Sequence, residues 1–157
     1  MTTHAAITDE TQADAHAVEA LVAAAFGPGR FVKTAERLRE RAALAFGLVV
    51  RGDQGVVGSV RLWRIAVGET PALFLGPITV KADLRKVQLG AQLVEAAVAR
   101  AGAEGVAGVL LVGDMAYFER FGFVPAPGAA LPGPVDQRRV LWKALTDEAP
   151  AGVVTAA

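Results

Sequence analysis

The chain has 157 residues, 53% of them hydrophobic, with 16 Lys and Arg against 16 Asp and Glu, two His and no Cys. A chain of this length forms one domain and buries roughly 70% of its unfolded surface without needing a disulfide or a structural metal. Balanced charge removes the global electrostatic case for a nucleic-acid or membrane-surface partner, and the lack of Cys removes thiolate nucleophiles, disulfides and cysteine metal sites together. The histidines, His4 and His16, both fall near the start of the chain, so no metal is expected. No apolar run approaches the roughly 18 residues of a membrane span. Asp9, Glu10, Asp14 and Glu19 precede the first basic residue, Arg30, the reverse of a secretory leader, so a cytoplasmic protein is expected.

From Asp14 to Phe26 the apolar positions Val18, Leu21, Val22, Ala25 and Phe26 repeat with helical period, Thr11 and Asp14 resemble a capping box, and Gly27-Pro28-Gly29 stops the helix. Thr34 to Ala42 reads as a second, charged helix with a solvated face. Ala45 to Arg51 and Val56 to Val67 are β-branched runs joined by Gly52-Asp53-Gln54-Gly55, which predicts a hairpin. After the turn at Gly68-Glu69-Thr70-Pro71, Ala72 to Val80 completes a three-stranded meander, and Pro77 within it must interrupt the ladder. Helical period returns at Leu89, Leu93, Val94, Ala97 and Val98 and ends near Gly102. Val106 to Val112 is wholly apolar, as expected of a strand buried on both faces, and a right-handed crossover makes it parallel to Ala72–Val80. Met115 to Phe121 reads as a short helix capped by Asp114. Phe123 to Val135 holds four of the eight prolines, and Arg139 to Leu145 reads as a last strand. The domain is expected to span 1–147, with 148–157 a frayed tail. Trp63 and Trp142 read as core, and His16 as helix surface.

The segment that carries chemistry is the strand, loop and helix from Leu75 to Arg100. A short loop feeding a helix presents free N–H groups to an anion. Here Arg85 and Lys86 add positive charge, but neither a Walker A loop nor GxGxxG is present, so the residues alone leave an anion site and an ordinary β-α connection both open.

Leu75-Gly-Pro-Ile-Thr-Val-Lys-Ala-Asp-Leu-Arg-Lys-Val-Gln-Leu-Gly90, followed by Leu110-Leu-Val-Gly-Asp114 and Tyr117-Phe-Glu-Arg-Phe-Gly-Phe123, resembles the GNAT superfamily of acetyl-CoA-dependent N-acetyltransferases, and the likeness runs through the whole domain. The resemblance implies a single-domain α/β (α+β) fold whose mixed central sheet, flanked by helices, splays between the two parallel strands with acetyl-CoA in the splay. It implies that backbone at Ile78, Thr79 and Val80 holds the pantetheine arm and that the loop Arg85, Lys86, Val87, Gln88, Leu89, Gly90 and Ala91 takes the pyrophosphate. The sequence departs from the family pattern twice. Gln88 stands where the family places its first glycine, and Phe118 stands where it often places a tyrosine that protonates the CoA thiolate. Tyr117 is adjacent, but consecutive helical residues point about 100° apart, so it is not expected to substitute directly. Asp114 is the candidate base, with a helix N-cap as its competing role.

The implied reaction is direct attack by a primary amine of a small molecule or peptide on the acetyl thioester, without nucleic acid, membrane or metal. The acceptor pocket is expected among Gly27–Lys33, the turn at Glu69 and Pro125–Val135. The departures keep a second reading open, a catalytically weak acyl-CoA-binding or regulatory domain of the same fold. The sequence leaves the oligomeric state open, a homodimer included.

Overall fold

The computed structural model describes residues 6–53 and 55–157, so His4 and Gln54 lie outside the described residues. A short strand β1 (Ile7–Asp9) leads through a 3-10 turn into helix α1 (Ala15–Phe26). The Asp14 carboxylate accepts from the Thr11 N–H at 2.8 Å and from its hydroxyl at 3.0 Å, closing the expected cap. Gly27 then takes φ +67° and ends α1.

After α2 (Thr34–Arg41) come the meander strands β2 (Leu44–Gly52), β3 (Gly55–Val67) and β4 (Thr70–Val80), all antiparallel as expected. Between the pairs Leu62↔Leu75 and Val60↔Ile78, β4 advances one residue more than β3, so the ladder is broken by a bulge at Gly76–Pro77. The Trp63 indole N–H donates to the Gly76 carbonyl at 2.6 Å and fixes the bulge. Helix α3 (Leu89–Ala101) returns the chain to β5 (Gly108–Val112), which runs parallel to β4. Helix α4 (Met115–Phe118), continued by a 3-10 turn to Phe121, and β8 (Val140–Ala144) complete the expected elements, and the proline-rich segment adds two two-residue strands that were not expected, β6 (Val124–Pro125) and β7 (Ala129–Ala130).

Strand alternation divides the core between the two faces of this mixed sheet. Leu73 and Leu75 join Leu48, Val50, Val60 and Leu62 beneath Leu89, Leu93, Val94 and Ala97 of α3. Ala72 and Phe74 point the other way, toward Leu38 of α2, Leu110 and Trp142. Val18 and Val22 anchor α1 on Val49. Among the described residues no helix is long and apolar enough to cross a membrane.

Two expectations are corrected here. The charged helix α2 is not simply a solvated face: Leu38 is buried, and the Arg39 guanidinium lies 5.4 Å from the centroid of the Phe74 ring. The segment 148–157 does not fray but returns as β9 (Gly152–Ala156). Pairing of β2 with β3 stops at Leu44↔Trp63, and β9 continues along β3 with Val154 opposite Val67 and Ala156 opposite Ile65. The β-branched run Val153-Val154-Thr155 suits that vacancy, and Val154 is fully buried.

Candidate active site

The pairing of β4 with β5 is confined to Leu73↔Val109 and Phe74↔Leu110. Beyond it the strands part, and Leu75 to Ile78 on one side and Leu111 to Gly113 on the other line a common cavity of about 940 Å³. A second cavity of about 360 Å³ lies between β4, the first turn of α3 and α4, lined by Ile78, Val80, Gln88, Gly90, Ala91, Tyr117 and Arg120. Ile78 and Tyr117 line both.

The expected site residues divide accordingly. Ile78 and Val80 face the smaller cavity, and the two-residue period turns Thr79 to the other face, where it is buried with its hydroxyl unpaired. Arg85, Lys86 and Val87 close a 3-10 turn (Ala82–Val87) before α3; their side chains lie outside the described residues. Leu89 is core, packed beside Leu93 under β3, and among the described side chains of the expected loop Gln88, Gly90 and Ala91 line the smaller cavity.

Gln88 adopts φ 57° and ψ 28°, the left-handed conformation, directly before α3. The glycine of the family pattern would take this conformation without the roughly 1–2 kcal/mol cost to an L side chain, although glycine also loses about 0.4–1 kcal/mol through unfolded-state entropy. Gln88→Gly is therefore expected to stabilise the fold by up to about 1 kcal/mol, read as a rise of a few degrees in Tm by calorimetry.

Asp114 caps α4, its Oδ1 accepting from the Ala116 N–H at 3.1 Å, and it also lines the larger cavity, so cap and cavity roles coexist. Phe118 lines that cavity too, and its half-buried ring packs over Gly113 and against the core, 5.9 Å from the Phe123 ring. Tyr117 is the side chain placed where the cavities meet. A Cβ added at Gly90 would lie 3.8 Å from the Tyr117 hydroxyl, and the ring is held by Phe118 at 4.9 Å, Phe121 at 5.5 Å and the Arg120 guanidinium at 4.6 Å.

Of the expected acceptor loops, Arg30 and Lys33 line the larger cavity together with Pro134 and Val135, whose segment is tied to the start of α2 by the Thr34 hydroxyl donating to the Pro134 carbonyl at 2.5 Å. Glu69 does not. It stands six residues before Leu75 on an extended chain, roughly 20 Å from the splay, in a turn that meets the segment leading into β9.

Sequence reasoning missed Glu36, Arg39 and Arg139, which line the larger cavity beside Arg30 and Lys33. The one signal lay in α2: Thr34, Ala35 and Leu38 form its only weakly polar stripe, and Arg39 follows Ala35 by four residues. Burial pulls the pKa of Arg39 down, Glu36 opposes that through an ion pair at 3.2 Å, and the positive charge of Arg30 adds to the lowering.

Comparison with known proteins agrees with this geometry. The sequence model of the acetyltransferase (GNAT) family matches residues 14–123. The uncharacterized N-acetyltransferase YhbS of Escherichia coli K12 is 32% identical over 117 residues, 73% of this chain and 70% of that protein. The crystal structure of E. coli YhbS in complex with CoA superposes with a TM-score of 0.82 at 29% identity, covering 97% of this chain and 89% of that one. A GNAT family acetyltransferase from Brucella melitensis in complex with acetyl-CoA shares the fold, with a TM-score of 0.75 at 24% identity over 97% of this chain and 95% of that one.

Proposed function

The chain belongs to the GNAT family of acetyltransferases, and on that premise we propose that it moves an acetyl group from acetyl-CoA to the primary amine of a small molecule or peptide by direct attack. The observation that carries this reading is the pair of cavities meeting at Ile78 and Tyr117. The smaller, about 360 Å³, lies beside β4 where a thioester arm would run, and the larger, about 940 Å³, has the volume for an acceptor. The residues present fit the co-substrate. Ile78 and Val80 border the groove, a Cβ at Gly90 would stand in ordinary contact with Val80 and the Tyr117 hydroxyl, both at 3.8 Å, and the first turn of α3 points its amides toward an incoming pyrophosphate. The YhbS structure, which shares 29% identity with this chain, holds CoA.

In this reading the acceptor amine enters from the larger cavity and gives up a proton to Asp114, directly or through water. A C–N bond forms at the thioester carbonyl while the C–S bond breaks, and the Tyr117 hydroxyl returns a proton to the departing thiolate. Placement of the amine against the thioester supplies most of the acceleration, so few catalytic side chains are required. A cytoplasmic site of action without nucleic-acid or membrane partners belongs to the same reading, supported by the balanced charge.

Acetyl-CoA at about 100 times its Kd should stabilise the protein by about 2.7 kcal/mol, a rise of roughly 5–10 °C in Tm. Absence of any shift at saturation would overturn the proposal. Thiol release over an amine panel then separates a transferase from a weak CoA-binding domain, and the protein adds no thiol background because it has no Cys.

A further inference from the structure

Two arginines in the larger cavity are incompletely satisfied. The side chains of Arg30 and Arg39 are only 14% and 16% exposed, yet both Nε atoms are buried without an acceptor among the described residues. An unpaired buried donor costs about 1–3 kcal/mol, and more on a charged group, so native proteins seldom leave two in one cavity without a use. Their carboxylate partners do not cover the need. Glu36 engages Arg39 through Nη1 alone. Glu19 reaches Arg30 at 3.4 Å through Nη2, while its shorter bond, 2.5 Å, goes to Arg61. On each guanidinium Nε is therefore unpaired, and both side chains line the larger cavity, where a guanidinium with donors to spare suits a carboxylate or phosphate.

We propose that Arg30 and Arg39 form an anion-binding subsite for the acceptor, so that the substrate is a small amine carrying an acidic group a few bonds from the nitrogen, as an amino acid does. This rests on the acetyl-transfer reading above and names the substrate class of that site. The spacing follows from the fold. The Arg39 Nη2 lies against Gly76, 2.6 Å from where a Cβ would stand, and any side chain there would displace it. Gly76 is two residues along β4 from Ile78, where the cavities meet, a separation of roughly 7 Å. An anion on Arg39 thus leaves its amine near the thioester only if few bonds separate the two groups. Lys33 and Arg139 also line the cavity, so its cations outnumber the carboxylates of Glu36, Asp114 and Asp136 by one. A neutral or cationic amine would bring no acceptor to either guanidinium, and a site built to hydrogen-bond a group rejects the ligand that lacks it.

The test uses thermal shift with CoA bound, adding matched pairs: L-amino acids beside their carboxamides, and O-phosphoethanolamine beside ethanolamine. The acidic member of at least one pair should raise Tm and the neutral member should not. In thiol-release assays the acidic acceptor should show a KM at least tenfold lower. A preference confined to the phosphorylated pair keeps the subsite and assigns it a phosphate; equal behaviour of every pair overturns the proposal. Arg30→Gln should abolish the discrimination, and Arg30→Lys should restore part of it. If Arg39 variants fail to fold, the Arg30 pair still decides. The shift from CoA alone is read first, so its absence would sink the acetyl-transfer reading, whereas its presence without anion preference sinks only this one.

Discussion

Tyr117→Phe is expected to lower kcat by about 10²- to 10⁴-fold while leaving the CoA-induced thermal shift intact, because the ring stays and only the proton donor is lost. The ring is clamped between Phe118, Phe121 and Arg120, so its position survives removal of the hydroxyl. Phe118→Tyr makes the complementary test. Phe118 packs over Gly113 and near Phe123, and a hydroxyl added there enters the core side of the splay. That variant is expected to lose stability without gaining turnover. If instead Phe118→Tyr raises kcat and Tyr117→Phe changes nothing, proton return belongs to position 118 and Tyr117 is a packing residue.

The angular argument from sequence, that neighbouring helical residues diverge by about 100°, is sound for Tyr117 and Phe118. What it lacked was the breadth of the target. Both residues line the larger cavity, and the wide splay between β4 and β5 admits two directions from one short helix. Elsewhere, patterns fixed by local physics were readable in advance: the helical period of α1 and α3, the β-branched run of β3, the bulge that Pro77 forces and the Asp114 cap. Features that depend on distant partners were not. The destination of β9 depends on where β2 stops pairing with β3, and the burial of Arg39 depends on Phe74 and on a glycine at position 76 that leaves room for a guanidinium. Gln88 lies between these cases. The sequence showed that a glycine was replaced, but only the backbone shows that the position is left-handed.

The largest effect on stability is expected at Arg61, which shares the Glu19 carboxylate with Arg30. Its side chain on β3 is 9% exposed and donates to both oxygens of Glu10, at 3.1 and 2.9 Å, and to Glu19 at 2.5 Å. The Glu10 side chain is itself only 5% exposed and lies over Gly47, whose missing Cβ makes room for it. The cluster ties the segment before α1, α1 itself and the centre of the meander together. Burial alone would lower the Arg61 pKa, and the hydrogen bonds to Glu10 and Glu19 reverse that and leave it raised. Arg61→Met strands a buried carboxylate and should cost about 3–5 kcal/mol, seen as a drop in the urea midpoint at unchanged m-value. Glu10→Leu combined with Arg61→Met removes both charges and should recover most of that loss, a coupling measurable in a double-mutant cycle. The pH dependence carries the same signature. Burial raises the Glu19 carboxyl, but hydrogen bonds from Arg61 and then Arg30 outweigh it and hold its pKa below the ordinary range. A carboxyl depressed in the folded state contributes stability above its unfolded pKa and loses it as pH falls through the folded value. The wild type should therefore shed stability on acidification below the ordinary glutamate range, and Arg61→Met should show a flatter acid limb because the partner that depresses Glu19 is gone.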